Sequence, residues 1–125
     1  TVEINGKPAS ADPAVRQQLA QFALECRAIT YNMFRSFSKR LKGTPPGPEG
    51  SINKLVGSEL NLHMATFATE LLGSYGQLSQ GSPYAVDHGR WARAALSARL
   101  LTIAGGTSEV QRGILGDRVL GLPKG

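Results

Sequence analysis

The chain has 125 residues, 41% of them hydrophobic, and a formal charge of +5. That is one domain's worth of chain with enough apolar content for a single core. It excludes a membrane-spanning helix, since no unbroken apolar run approaches the ~20 residues one requires. The basic residues are dispersed rather than gathered in a dense or aromatic-interleaved run, which argues against nucleic-acid binding.

The first residues, Thr1-Val2-Glu3-Ile4-Asn5-Gly6-Lys7-Pro8, have no initiator Met and no secretory signal pattern. They read like the middle of something, and we expect a fragment of a longer protein. Asp12-Pro13 is a good helix start, with Asp as N-cap and Pro in the first turn. Val15, Leu19, Phe22, Cys26, Ile29, Met33 and Phe37 then recur at spacings of three and four, which predicts one buried stripe on a long helix. Lys39, Arg40 and Lys42 at its end complement the helix dipole, and Gly43-Thr44-Pro45-Pro46-Gly47-Pro48 stops it. The lone Cys26 cannot close an internal disulfide, so a cytoplasmic setting is the default. On an apolar face it reads as a buried structural thiol rather than a reactive one.

A second helix is predicted from about Glu49 to about Tyr75, with Ile52, Leu55, Val56, Leu60, Met64, Phe67, Leu71 and Leu72 on its apolar side. Gly73, Gly76 and Gly81-Ser82-Pro83 break it. A third covers roughly Val86 to Thr102, with Trp91, Ala94, Ala95, Leu96 and Leu100. A fourth follows Gly106, with Val110, Ile114, Leu115, Val119 and Leu120 inward, and ends near Gly121. No segment sustains period-two alternation. The fold class is therefore all-α, an antiparallel four-helix bundle with short connections. His63 and His88 stand apart from any Cys or carboxylate cluster, so no metal site is expected.

The tail Leu101-Thr102-Ile103-Ala104-Gly105-Gly106-Thr107-Ser108-Glu109-Val110-Gln111-Arg112 joins a glycine pair and a hydroxyl cap to an amphipathic turn. A helix start of this kind offers unpaired N–H groups and a positive dipole end to an anion. The string resembles the C-terminal signature of flavin-dependent acyl-CoA dehydrogenases. Ser51-Ile52-Asn53-Lys54 resembles that family's Ser-Ile-Ala-Lys segment, and Glu70-Leu71-Leu72-Gly73-Ser74-Tyr75-Gly76-Gln77 falls on its Gln-x-Phe-Gly-Gly-x-Gly-Tyr motif. Asn5-Gly6-Lys7-Pro8 lies where the family has Phe-Gly-Lys/Gln-Pro. The resemblance covers essentially the whole chain, as the family's C-terminal helical domain.

The resemblance implies a subunit of three domains, an N-terminal helical domain, a middle β domain and this bundle, with FAD between the last two. The nucleotide end of FAD crosses to the bundle of a neighbouring subunit, so a homo- or hetero-oligomer is implied. The reaction is proton abstraction from the α-carbon of an acyl-CoA by a carboxylate, with hydride transfer to flavin. Electrons leave through an electron-transfer flavoprotein. Carried over position by position, Gly106, Thr107 and Glu109 meet the cofactor, although a plain helix cap is the alternative for Thr107 and a solvated first-turn carboxylate for Glu109. Gly73 and Gly76 either let backbone approach the nucleotide or simply stop a helix. Ala104 and Gly105 line the acyl pocket, with room for something bulky.

The departures from the family pattern matter more. Gly105 stands where many members carry the catalytic Glu, so no catalytic residue is assigned within this chain. Glu70 replaces a Gln on the pyrophosphate side, Val2 an Arg, and Asp12-Pro13 a His-Gln pair. Two explanations fit Gly105. The base sits on a helix upstream of Thr1, or it is absent, as in the non-catalytic subunits of heteromers that act on bulky substrates such as steroid-CoA thioesters. A rival of another class, a stand-alone basic bundle binding an acidic macromolecule, carries little weight.

Overall fold

The chain opens with a minimal antiparallel hairpin, β1 (Glu3–Ile4) and β2 (Lys7–Pro8), registered Glu3 opposite Pro8 and Ile4 opposite Lys7. Asn5 and Gly6, both with positive φ, make the turn. Strands this short leave no alternation to detect, so the helix-only reading misses them although Asn-Gly is itself a hairpin signal. The computed structural model describes residues 2–45 and 47–123. Thr1 and Pro46, the latter among the residues expected to stop the first helix, lie outside the described residues.

Among the described residues four α-helices follow. α1 (Pro13–Leu41) starts where Asp12 Oδ1 accepts from the amides of Ala14 (2.8 Å) and Val15 (3.1 Å), and ends with Lys39 and Arg40 in its last turn. α2 (Glu49–Leu72) tightens into a 3-10 turn over Gly73–Gln77, three residues short of the expected end at Tyr75 being α-helical. α3 (Arg90–Ile103) begins four residues later than expected. Val86–Gly89 form a separate 3-10 turn in which Asp87, His88 and Gly89 all have positive φ, a conformation that cannot continue into an α-helix. α4 (Ser108–Arg118) stops short of Gly121.

α2 is the axis of the fold: α1, α3 and α4 each pack on it. The core between them holds Val15, Phe22, Leu60, Ala65 and Ala98, with Phe22 and Phe67 meeting edge to face at 5.6 Å. Ala98 and Ala65, the most completely buried, are small enough to let helix backbones approach closely. Asn32 Nδ2 donates to Asn53 Oδ1 (2.7 Å) across the α1–α2 seam.

Several residues assigned to the interior are at the surface. On α1 the buried or half-buried line runs Val15, Gln18, Phe22, Glu25, Ile29, Asn32 and Ser36, whereas Leu19, Cys26, Met33 and Phe37 are exposed. Cys26 is therefore not a buried thiol. The reason is geometric. One neighbouring helix covers only a limited arc, and the apolar residues of α1 extend well beyond the arc that α2 covers. Leu96 and Leu100 of α3 are 73% and 64% exposed, and Val110, Val119 and Leu120 are likewise uncovered. On α4 it is Ser108 and Gln111 that are buried.

The turn between the last two helices as candidate cofactor site

α3 ends because Ala104 leaves helical space (φ −60°, ψ 136°) and the next two residues take positive φ, +73° at Gly105 and +99° at Gly106. L-residues rarely adopt that region, so the glycine pair is what allows the chain to reverse here. Thr107, in extended conformation, is then the N-cap expected for α4: its Oγ1 accepts from Val110 N at 3.4 Å.

Two side chains fix this turn from below. Lys54 Nζ, from α2, donates to the Gly106 carbonyl at 2.6 Å and to the Thr102 carbonyl at 3.4 Å. Gln111 Nε2, buried on α4, donates to the Gly105 carbonyl at 3.0 Å. In a trans peptide the N–H points opposite to the C=O. Holding the Gly105 and Gly106 carbonyls inward therefore turns the amides of Gly106 and Thr107 away from the core, and neither finds an acceptor among the described residues. Arg112 Nη2 contacts Glu59 Oε1 at 2.6 Å and ties α4 to α2 nearby.

Glu109 lies in the first turn of α4 and is exposed. Its carboxyl is held below the usual carboxylate range chiefly by its own backbone amide, then by the Thr107 hydroxyl and the charge of Arg112. Its negative charge in the first turn suits the positive end of the α4 dipole. The two outward amides of Gly106 and Thr107 at a helix start fit a phosphate or the polar edge of a flavin nucleotide. Ala104 and Gly105 are exposed on the same turn. A Cβ at Gly105 would meet nothing closer than Lys54 Cε at 4.0 Å.

The second group of residues lies elsewhere. Gly73 (φ +57°, ψ −132°) caps α2 and lines an open cleft of about 730 Å³ with Val2, Glu3, Glu70, Tyr75 and Tyr84. None of residues 104–109 lines it, so the two sets of residues do not share a cavity. The cleft carries two carboxylates and no Lys or Arg, a poor fit for a pyrophosphate. Gly76 is not on its surface. It is buried, and a Cβ there would come within 2.4 Å of the Thr69 carbonyl oxygen, so its smallness serves packing of the 3-10 turn on α2. Lys54 and Gln111, which hold the carbonyls of this turn, are residues that sequence reasoning leaves without a role. The available signals for Lys54 were its place in the Ser51-Ile52-Asn53-Lys54 segment and its being the sole Lys or Arg within α2. Among the described residues no group of three or more His, Cys, Asp or Glu is placed to hold a metal, and no helix is long and apolar enough to cross a membrane.

Comparison with known proteins identifies the family of the chain. The model of the acyl-CoA dehydrogenase C-terminal domain matches residues 1–120. The chain is 36% identical over 98 residues to acyl-CoA dehydrogenase FadE26 of Mycobacterium tuberculosis, covering 78% of this chain and 24% of that protein. It superposes with a TM-score of 0.84 on the ChsE4-ChsE5 complex of the same organism, at 30% identity over 100% of this chain and 32% of that one. It superposes at 0.82 on the Tcur3481-Tcur3483 steroid ACAD, at 25% identity over 97% of this chain and 31% of that one. The chain thus spans about a quarter to a third of the length of the proteins it matches. It belongs to the acyl-CoA dehydrogenase family, as that family's C-terminal all-α domain.

Proposed function

We propose that residues 1–125 form one domain of a longer subunit, with an N-terminal helical and a middle β domain, that converts an acyl-CoA thioester to the 2-enoyl-CoA. In this reading the turn at Gly105–Thr107 is this domain's part of an FAD site. The observation that carries it is the pair of amides at Gly106 and Thr107, directed outward by Lys54 and Gln111 at the start of α4. FAD, when bound, supplies the hydride acceptor. The chain's own residues do the rest. Gly106 and Thr107 donate to the cofactor, Glu109 meets it from the exposed first turn of the same helix, and Ala104 and Gly105 leave open space for the acyl group. Gly73 stays a weaker cofactor contact because Glu3 and Glu70 share its cleft, and Gly76 supports it from within.

No side chain at position 105 can take the α-proton, so in this reading the carboxylate base comes from outside the turn. Gly105 and Ala104 also favour a second reading, a non-catalytic subunit of a heteromer acting on a bulky, steroid-type acyl-CoA. The structural likeness to the ChsE4-ChsE5 complex and to the Tcur3481-Tcur3483 steroid ACAD supports it. Electrons pass to an electron-transfer flavoprotein in either case, and a cytoplasmic setting suits the free thiol of Cys26.

The test is acyl-CoA-dependent reduction of an electron acceptor by the full-length protein, alone and with candidate partner subunits. Turnover by the protein alone supports an upstream base, and turnover only with a partner supports the heteromer. Stoichiometric flavin binding without turnover under any pairing would contradict the dehydrogenase reading.

A further inference from the structure

We propose that Lys54 is a positioning residue for the cofactor site. Its ammonium latches the Gly106 peptide so that the Thr107 amide faces outward. The proposal rests on the reading that the start of α4 contacts FAD.

Lys54 stands in the middle of the fold's axial helix, half-buried, and its recorded partners are carbonyls rather than carboxylates. One of them, Thr102, lies in the last turn of α3, where carbonyls lack intrahelical donors and the dipole end is negative. The other, Gly106, lies beyond the helix altogether, in the turn itself. A single ammonium thus links three elements: α2 that carries it, the end of α3, and the peptide that leads into α4. A structural tie between α2 and α3 would need only the first carbonyl. The shorter contact is the one to Gly106, 2.6 Å against 3.4 Å, as a charged donor favours.

What the second bond controls follows from peptide geometry. The Gly106 carbonyl and the Thr107 amide belong to one rigid plane and point in opposite directions. With Gly106 on one side, that plane meets little steric resistance to rotation about its flanking bonds. Gln111 packs beside Gly106 and holds the preceding plane through the Gly105 carbonyl, but its side chain makes no hydrogen bond to this plane among the described residues. Lys54 is therefore the group that decides whether the Thr107 N–H faces the ligand or the core. Removing its charge leaves the carbonyl without its donor and the plane free to turn.

The experiment uses the full-length protein with any partner subunit it requires. FAD affinity is measured by fluorescence titration, the flavin absorption band is recorded for each variant, and folding is followed by circular dichroism and thermal melting. Lys54→Met keeps the length and removes the donor; FAD affinity should fall about tenfold, the scale of one charge-assisted hydrogen bond. The flavin band of whatever complex forms should be displaced from that of the wild type. Lys54→Arg, which keeps charge and donors, should restore most of the affinity. Glu59→Gln breaks the ion pair between α2 and α4 without touching the turn, and should leave FAD affinity unchanged. Should Lys54→Met fail to fold, Lys54→Gln, with one amide donor, carries the same comparison and should bind FAD more weakly than Lys54→Arg. Wild-type affinity in a folded Lys54→Met, or equal losses in Lys54→Met and Glu59→Gln, would overturn the proposal. Thr107→Pro deletes the amide itself at a φ of −64° that suits proline. If that variant binds FAD normally, the reading of the turn as a cofactor site fails, and the role of Lys54 with it. If it loses FAD while Lys54→Met does not, only the role of Lys54 fails.

Discussion

A glutamate placed at Gly105 would find open space, since the nearest atom to its Cβ is Lys54 Cε at 4.0 Å. It would still have to adopt φ +73°, at a cost of about 1 kcal/mol for an L-residue. Gly105→Glu should thus lower stability by about that amount in a denaturant titration. It should not by itself confer turnover, because the backbone does not present position 105 as an ordinary side-chain site. An active, undestabilised variant would show that the turn readily adopts another conformation. Glu109 gives a pH signature. Its carboxyl is depressed in the folded state, so its stabilising effect is complete above the ordinary carboxylate pKa. That effect is lost as the pH falls through the depressed value. The stability gap between the wild type and Glu109→Gln should be widest near neutral pH and close in acid, and a gap that widens in acid would contradict the assignment. At this scale the sequence was legible where partners are neighbours. Asp12 and Thr107 are caps because the amides they accept from lie two or three residues on. The partners of Lys54 lie 48 and 52 residues away, and no local pattern names them.

Between elements, the contact that most constrains the sequence is the 3-10 turn folded onto the end of α2. A methyl group at Gly76 would stand 2.4 Å from the Thr69 carbonyl oxygen, and a backbone atom cannot move aside as a side chain would. Gly76→Ala should cost about 1–3 kcal/mol by overpacking, measured as a shift in melting temperature. Gly76→Ala melting like the wild type would mean the turn is not packed as described. The Arg112–Glu59 pair is short but partly exposed, so its contribution is small, within about 1 kcal/mol. Helix number and approximate span were legible from Pro, Gly and period. Which face of α1 is buried was not, because its apolar residues occupy a wider arc than α2 covers, and polar Gln18, Glu25 and Asn32 share the half-buried line. The hairpin was hidden by its two-residue strands, and the late start of α3 by the left-handed turn at Asp87–Gly89.

Across the whole molecule, apolar side chains remain uncovered on two sides. Leu96, Leu100 and Ile103 form a stripe on α3, and Leu24, Tyr31, Phe34 and Leu41 add a second on α1. Exposed apolar surfaces of this kind mark places where another part or partner can pack. The 125-residue chain by itself should self-associate in sedimentation velocity, and Leu96→Glu with Leu100→Glu should reduce that association. A strictly monomeric chain across the concentration range would contradict it. An apolar stripe reads the same in sequence whether the chain's own core or another surface covers it, which is why Leu96 and Leu100 were assigned inward. The measurement that bears most directly on the account is the visible absorption spectrum of the full-length protein, purified with any partner and then supplied with FAD. A bound oxidised flavin band near ~450 nm, lost in Thr107→Pro, is the predicted result. A protein that stays colourless with FAD present, or a flavin band indifferent to Thr107→Pro, would contradict the assignment of the α3–α4 turn as a cofactor site.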